Sequence, residues 1–123
     1  MPAKEIDHAT FDLNSFAEEL RAAPGNLDVG TRLCFENDVI RVREVRLKPG
    51  ERGPFHAHTR RHFWTVVDGG IRRQRTVDGA MITREYNVGD TNYSEHSPDD
   101  PTIHDFENAG ETDIRFVIVE LIN

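Results

Sequence analysis

Cysteine is nearly missing from this chain. Cys34 is the single one among 123 residues, so no disulfide closes within the chain and no Cys-x-x-Cys metal or redox pair exists. In the strand-like RLCFE it reads as a small buried hydrophobe rather than a nucleophile. Long apolar runs are missing too. No stretch approaches the roughly 20 apolar residues that cross a bilayer as a helix. The opening MPAKEIDHATFD carries no signal-peptide core, and we expect a cytoplasmic protein with no membrane partner. Excess positive charge is also wanting. Fifteen Lys and Arg stand against 22 Asp and Glu, a net charge of −7, which is the wrong sign for a nucleic-acid binder. No helix-turn-helix, no glycine-rich phosphate loop before a helix and no serine nucleophile elbow is recognisable.

What remains is a chain with 37% apolar and 30% charged residues, a globular balance whose length suits one domain. One segment reads as helix. In DLNSFAEELRAA (12–23), Leu13, Phe16, Ala17 and Leu20 form an apolar stripe. Either Asp12 or a Ser15–Glu18 capping box starts it, and Pro24-Gly25 ends it. We therefore treat residues 1–29 as an N-terminal extension. From Gly30 onward the chain breaks into seven or eight short strands. They include 39–47, 62–67, 71–77, 80–86, 103–108 and 114–122, with KPGERGP (48–54) and SEHSPDDPT (94–102) as loops. Asp78-Gly79 between two strand-like runs predicts a hairpin with a two-residue turn. This spacing predicts an all-β sandwich or barrel over 30–123. IRFVIVELI (114–122) is apolar on both faces, which fits a sheet covered by a second subunit and predicts a homodimer.

The chemistry concentrates in PFHAHTRRHFW (54–64). His56, His58 and His62 share one parity with Trp64 and Val66, so an extended segment turns all five toward the interior. Each buried imidazole needs partners for its ring nitrogens. Three on one face are hard to satisfy by hydrogen bonds alone, whereas one divalent transition metal satisfies them together.

The segment resembles the first motif of the cupin superfamily: Gly50, five residues, His56-x-His58, three residues, His62, six residues, Gly69. A second motif opens at Gly89-Asp90 and closes at His104-Asp105-Phe106-Glu107-Asn108, so the resemblance spans about residues 38–122. It implies a double-stranded β-helix, or jelly-roll barrel, holding one divalent metal per subunit, iron first, with manganese, nickel or zinc as alternatives. His56, His58 and His104 fall on the ligand positions. His62 occupies the position usually held by glutamate, where it either ligates or acts as an acid or base beside the metal. The Pro-x-Gly turn of the second motif is replaced by SEHSPDDPTI. A site without a carboxylate ligand carries more positive charge and suits an anionic small-molecule substrate. It looks like the all-histidine sites of thiol and β-diketone dioxygenases among the cupins. The resemblance thus implies dioxygenase-like chemistry, with non-redox isomerase or lyase activity, or metal-dependent binding without turnover, as the alternatives.

Other residues take supporting roles. His96, in the loop before His104, is a candidate proton carrier together with His62. Trp64 and Phe106 are expected to wall the substrate pocket. Arg43, on the parity of Val45 and Leu47, and Arg60, on that of the histidines, are candidate carboxylate clamps there. If Ile40 and Val42 mark the buried face instead, Glu44 turns inward in place of Arg43. Asn108 is read as holding backbone, and His8 as surface.

Overall fold

The computed structural model describes residues 4–122. The strands are β1 (Lys4–Thr10), β2 (Arg32–Glu36), β3 (Ile40–Leu47), β4 (Arg52–His58), β5 (His62–Asp68), β6 (Gly70–Arg75), β7 (Ala80–Tyr86), β8 (Thr91–Ser94), β9 (Thr102–Asn108) and β10 (Ile114–Leu121). They form two five-stranded antiparallel sheets, β1-β7-β6-β9-β4 and β2-β3-β10-β5-β8. One short helix accompanies them, α1 (Ala17–Ala22), flanked by 3₁₀ turns. Among the described residues no helix is long and apolar enough to cross a membrane.

Period-two alternation builds the interior. Along β10, Ile114, Phe116, Ile118 and Glu120 are buried while the residues between them are half-buried. The first three join Val45, Leu47, Val66, Tyr86 and Phe106 in one apolar cluster, with Trp64 packed against it. Burying each large side chain contributes about 2 kcal/mol. Asn108 ties strand ends together: its side-chain amide donates to the carbonyls of Leu47 and Thr112.

Two strands stand where the sequence pattern predicted none. β4 begins inside the expected loop, and both of its faces are covered from Phe55 onward, so it shows no alternation. β1 pairs with β7 as the edge strand of its sheet, with almost every residue exposed, so it carries no burial pattern either. Cys34 corrects a third expectation. It is exposed, because β2 is an edge strand exposed along its whole length. The hairpin is real but its loop is Val77-Asp78-Gly79. The Gly79 amide donates to the Thr76 carbonyl, and Gly79 alone takes a positive φ, +89°. A two-residue Asp-Gly turn of type I′ would need positive φ at Asp78 as well.

The N-terminal helix begins on Asp12, whose side chain accepts from the Asn14 amide; no Ser15–Glu18 box forms. Leu13 drops out of the expected stripe and is exposed, because residues 13–16 wind as a tighter 3₁₀ turn. The helix covers the outer face of β4. Phe16 meets Phe55 edge-on at 5.6 Å, and Phe11 stacks on Phe55 at 6.2 Å. Glu19 accepts the Phe55 amide and pairs with Arg52. Arg52 Nε and Arg75 Nη1 both reach the buried Asp105 carboxylate, at 2.7 and 3.0 Å. This outer layer holds β4 and β9 rigid from behind, and those strands carry the histidines.

Candidate metal centre

β4 turns His56 and His58 to the same inner face, two residues apart. Antiparallel pairing with β9 sets His104 directly opposite His56. Three ring nitrogens meet as a result. His58 Nε2 lies 3.2 Å from His56 Nε2 and 2.8 Å from His104 Nε2, and the three ligand atoms all lie within 4.8 Å of one another. His56 Nδ1 donates to the Pro54 carbonyl at 3.0 Å, leaving its Nε2 lone pair bare. His58 and His104 each hold a buried Nδ1 with no hydrogen-bond partner among the described residues.

Burial disfavours the charged ring at all three positions. It pushes His56 down to about 4, and also holds His58 and His104 well below the ordinary histidine value, with the neighbouring imidazoles adding to the effect. At neutral pH the three rings are therefore neutral, the form that ligates. Two nitrogens at right angles, each about 2.1 Å from one ion, stand about 3 Å apart. The two spacings about His58 Nε2 fit that requirement, so these three histidines can form a metal site.

His62 arrives from the opposite sheet. The link 59–61 carries the chain across the barrel, and both sheets then present the shared parity inward. His62 is buried, but it is not one of the converging three. Its ring lies nearly parallel to His58, with centroids 4.4 Å apart and planes at 19°. Stacked rings direct their in-plane lone pairs side by side rather than at one another. His62 Nδ1 faces the Arg60 carbonyl at 3.3 Å. His96 stacks on His62 at 5.2 Å and also comes within 5.8 Å of the His58 ring, and its Nδ1 meets Thr102 Oγ1 at 3.0 Å. Burial lowers the pKa of both.

These rings open into a cavity of about 610 Å³. Trp64 and Phe106 line it, together with Val29, Tyr86, Phe116 and Ile118. Arg43 and Arg60 do not. Arg43 has the inward parity expected of it, but its Nε is taken by the buried Glu120 at 2.8 Å. Glu44 has the opposite parity and pairs with Arg32 and Arg115. Arg60 spends Nη1 on the Ile122 carbonyl at 3.0 Å. The arginines in the wall are Arg72 and Arg84. Sequence reasoning missed both: IRRQRTV offers no apolar alternation to say which way Arg72 faces, and Arg84 belongs to the next strand. The hairpin register would have given it: Arg72 and Arg84 lie directly opposite each other.

Residues 43–120 match the family described as the Cupin domain. The chain is a cupin. Solved structures agree on the fold, a double-stranded β-helix. A cupin domain from Bordetella pertussis Tohama I superposes with a TM-score of 0.65 at 21% identity, covering 78% of this chain and 94% of that one. An RmlC-like cupin from Methanocaldococcus jannaschii gives 0.59 at 14% identity, covering 73% and 76%. The polyketide cyclase RemF from Streptomyces resistomycificus gives 0.55 at 19% identity, covering 75% and 63%. No curated protein shows significant similarity to the sequence.

Proposed function

We propose that this cupin is a metal-dependent enzyme acting on a small molecule, with dioxygenase-like chemistry on Fe(II) as the leading reaction class. The convergence of the Nε2 atoms of His56, His58 and His104 carries this reading. A bound first-row ion would supply open coordination positions at which a substrate oxygen or dioxygen is polarised. The chain's own residues do the rest. His56, His58 and His104 hold the ion as neutral imidazoles. Trp64, Phe116 and Ile118 exclude water from one wall. His62 keeps a hydrogen on Nδ1 toward the Arg60 carbonyl, which leaves Nε2 free to accept a proton, and His96 lies against it to pass that proton on.

The His62–His96 stack also favours a second reading. Proton transfer alone would serve a non-redox isomerase or lyase using manganese, nickel or zinc. Metal analysis of protein purified without a histidine tag comes first, followed by oxygen uptake of the iron-loaded protein with thiols, β-diketones and small carboxylic acids. Uptake with any of them supports the oxygenase. Metal without uptake replaces it with the non-redox enzyme or a binding protein. Failure to retain any first-row metal overturns both enzymatic readings.

We place the protein in the cytoplasm, where the exposed thiol of Cys34 stays reduced, and as a homodimer. The dimer rests on an apolar row, Phe35, Val42, Val119, Phe63 and Tyr93, paired in register across all five strands of the β2-β3-β10-β5-β8 sheet.

A further inference from the structure

The charge inside the cavity has the wrong sign for the rest of the protein. The chain carries −7 overall, yet among the described residues no Asp or Glu lines the cavity, and two arginines do. Arg72 is 7% exposed. Its guanidinium lies over the Phe106 ring at 4.2 Å. Nη1 donates to Tyr86 Oη at 3.3 Å and Nη2 to Gln74 Oε1 at 2.6 Å. Both partners are neutral, and Nε is buried with no partner among the described residues. Of the five N–H donors of a guanidinium, these two bonds use one each.

A second anomaly adjoins the first. Arg72 and Arg84 face each other directly across the β6–β7 pair. Like charges in that position repel. Among the described residues Arg84 has one distant ion-pair partner, Glu5 at 3.8 Å. A buried arginine without a carboxylate is costly, and a second arginine opposite adds to the cost. Burial and Arg84 both push the Arg72 pKa down. An oxyanion between the two would satisfy the free Nε–H and relieve the repulsion together. A planar carboxylate matches the fork of N–H donors that Arg72 leaves open. The wall beyond it, Trp64, Phe116 and Ile118, is apolar.

We propose that Arg72 and Arg84 form the acid-binding end of the cavity, and that the ligand is an organic carboxylic acid whose aromatic or branched body lies along Trp64 and Phe116. This deepens the reading of the His56/His58/His104 site as one acting on a small molecule and rests on it for the role of the metal end. Acid binding itself does not depend on the metal.

Trp64 is the single tryptophan of the chain and lines the cavity, so its fluorescence reports occupancy directly. The metal-free and zinc-loaded proteins are titrated with benzoate and phenylpyruvate, with benzamide as the uncharged counterpart of benzoate, and with inorganic phosphate. At least one acid should shift the fluorescence saturably, benzamide should bind at least tenfold more weakly than benzoate, and phosphate more weakly than either acid. Arg72→Gln should weaken acid binding at least tenfold with zinc content unchanged, and Arg84→Gln severalfold. Arg72→Lys keeps the charge and guards against a folding defect; it should retain part of the affinity. No saturable response to either acid, equal binding of benzoate and benzamide, or acid affinity unchanged in Arg72→Gln would overturn the proposal, as would tighter binding of phosphate. Loss of zinc retention in the unmodified protein, with Arg72-dependent acid binding intact, would instead sink the metal reading and leave this one standing.

Discussion

His58 sits at the junction of the site. Its Nε2 lies between those of His56 and His104, while its ring face carries His62. Removing it opens the middle of the ligand set, so His58→Ala should abolish metal retention, read as metal per protein after dialysis. His62 stands beside the ligands rather than among them. His62→Gln should leave metal content near that of the unmodified protein and lower turnover about 100-fold, the usual contribution of a positioned acid or base. If metal content falls in parallel for His56→Gln and His62→Gln, then His62 ligates. At this scale the histidines were legible because spacing and parity suffice to bring them together. Arg72 was not, because a charged residue on a polar strand gives no hint of its direction until its hairpin register is known.

The elements behind the site decide whether those rings stay in place. Asp105 is wholly buried and takes the Arg52 and Arg75 guanidiniums together with the Arg75 amide. Asp105→Ala removes the buried carboxylate that both guanidiniums share, leaving Arg52 to Glu19 and Arg75 to Glu107, and should cost about 3 kcal/mol, the low end for breaking a buried pair, measured by urea denaturation at neutral pH. Glu19→Ala removes only the helix tie and should cost less, about 1–2 kcal/mol. Equal losses would mean that the helix, rather than the strand pairing, carries the stability. β10 was readable from the sequence as a short apolar run bounded by turn residues, although only its burial, not its sequence, alternates cleanly. β4 was not, since the N-terminal helix covers its outer face and erases the alternation, and β1 was not, since an exposed edge strand buries nothing to alternate. The turn between β6 and β7 shows a finer limit. Asp-Gly announces a hairpin, but the positive φ confined to Gly79 is what sets the loop at three residues.

For the whole molecule, acid should be destabilising in a window set by the buried histidines. In the metal-free protein His56 keeps a pKa of about 4, against an ordinary value of 6.5 in the unfolded chain. Between those limits the unfolded chain binds a proton that the folded protein refuses, so stability rises with pH through that range. His56 alone accounts for about 3 kcal/mol across the full window, and His58, His62 and His104 are shifted in the same direction. Urea midpoints of metal-free protein should therefore fall from pH 7 to pH 5, with His56→Gln losing part of that slope. A midpoint indifferent to pH over this range would mean that the rings open to water.

Assembly is the other property of the whole molecule, and it turns on the row of apolar side chains crossing the second sheet. Phe35 and Tyr93, at its two ends, are 52% and 48% exposed, although both belong to residue types that gain from burial. Val42, Val119 and Phe63 continue the row between them on adjacent strands. A second copy laid face to face would cover the row in both subunits at once, as a two-fold interface requires. Sedimentation should accordingly give twice the 14.1 kDa chain mass. Val119→Glu, in the middle of the row and facing away from the cavity, should yield a monomer that still retains metal. A protein that sediments as a monomer before any substitution would leave the row without a partner of its own kind.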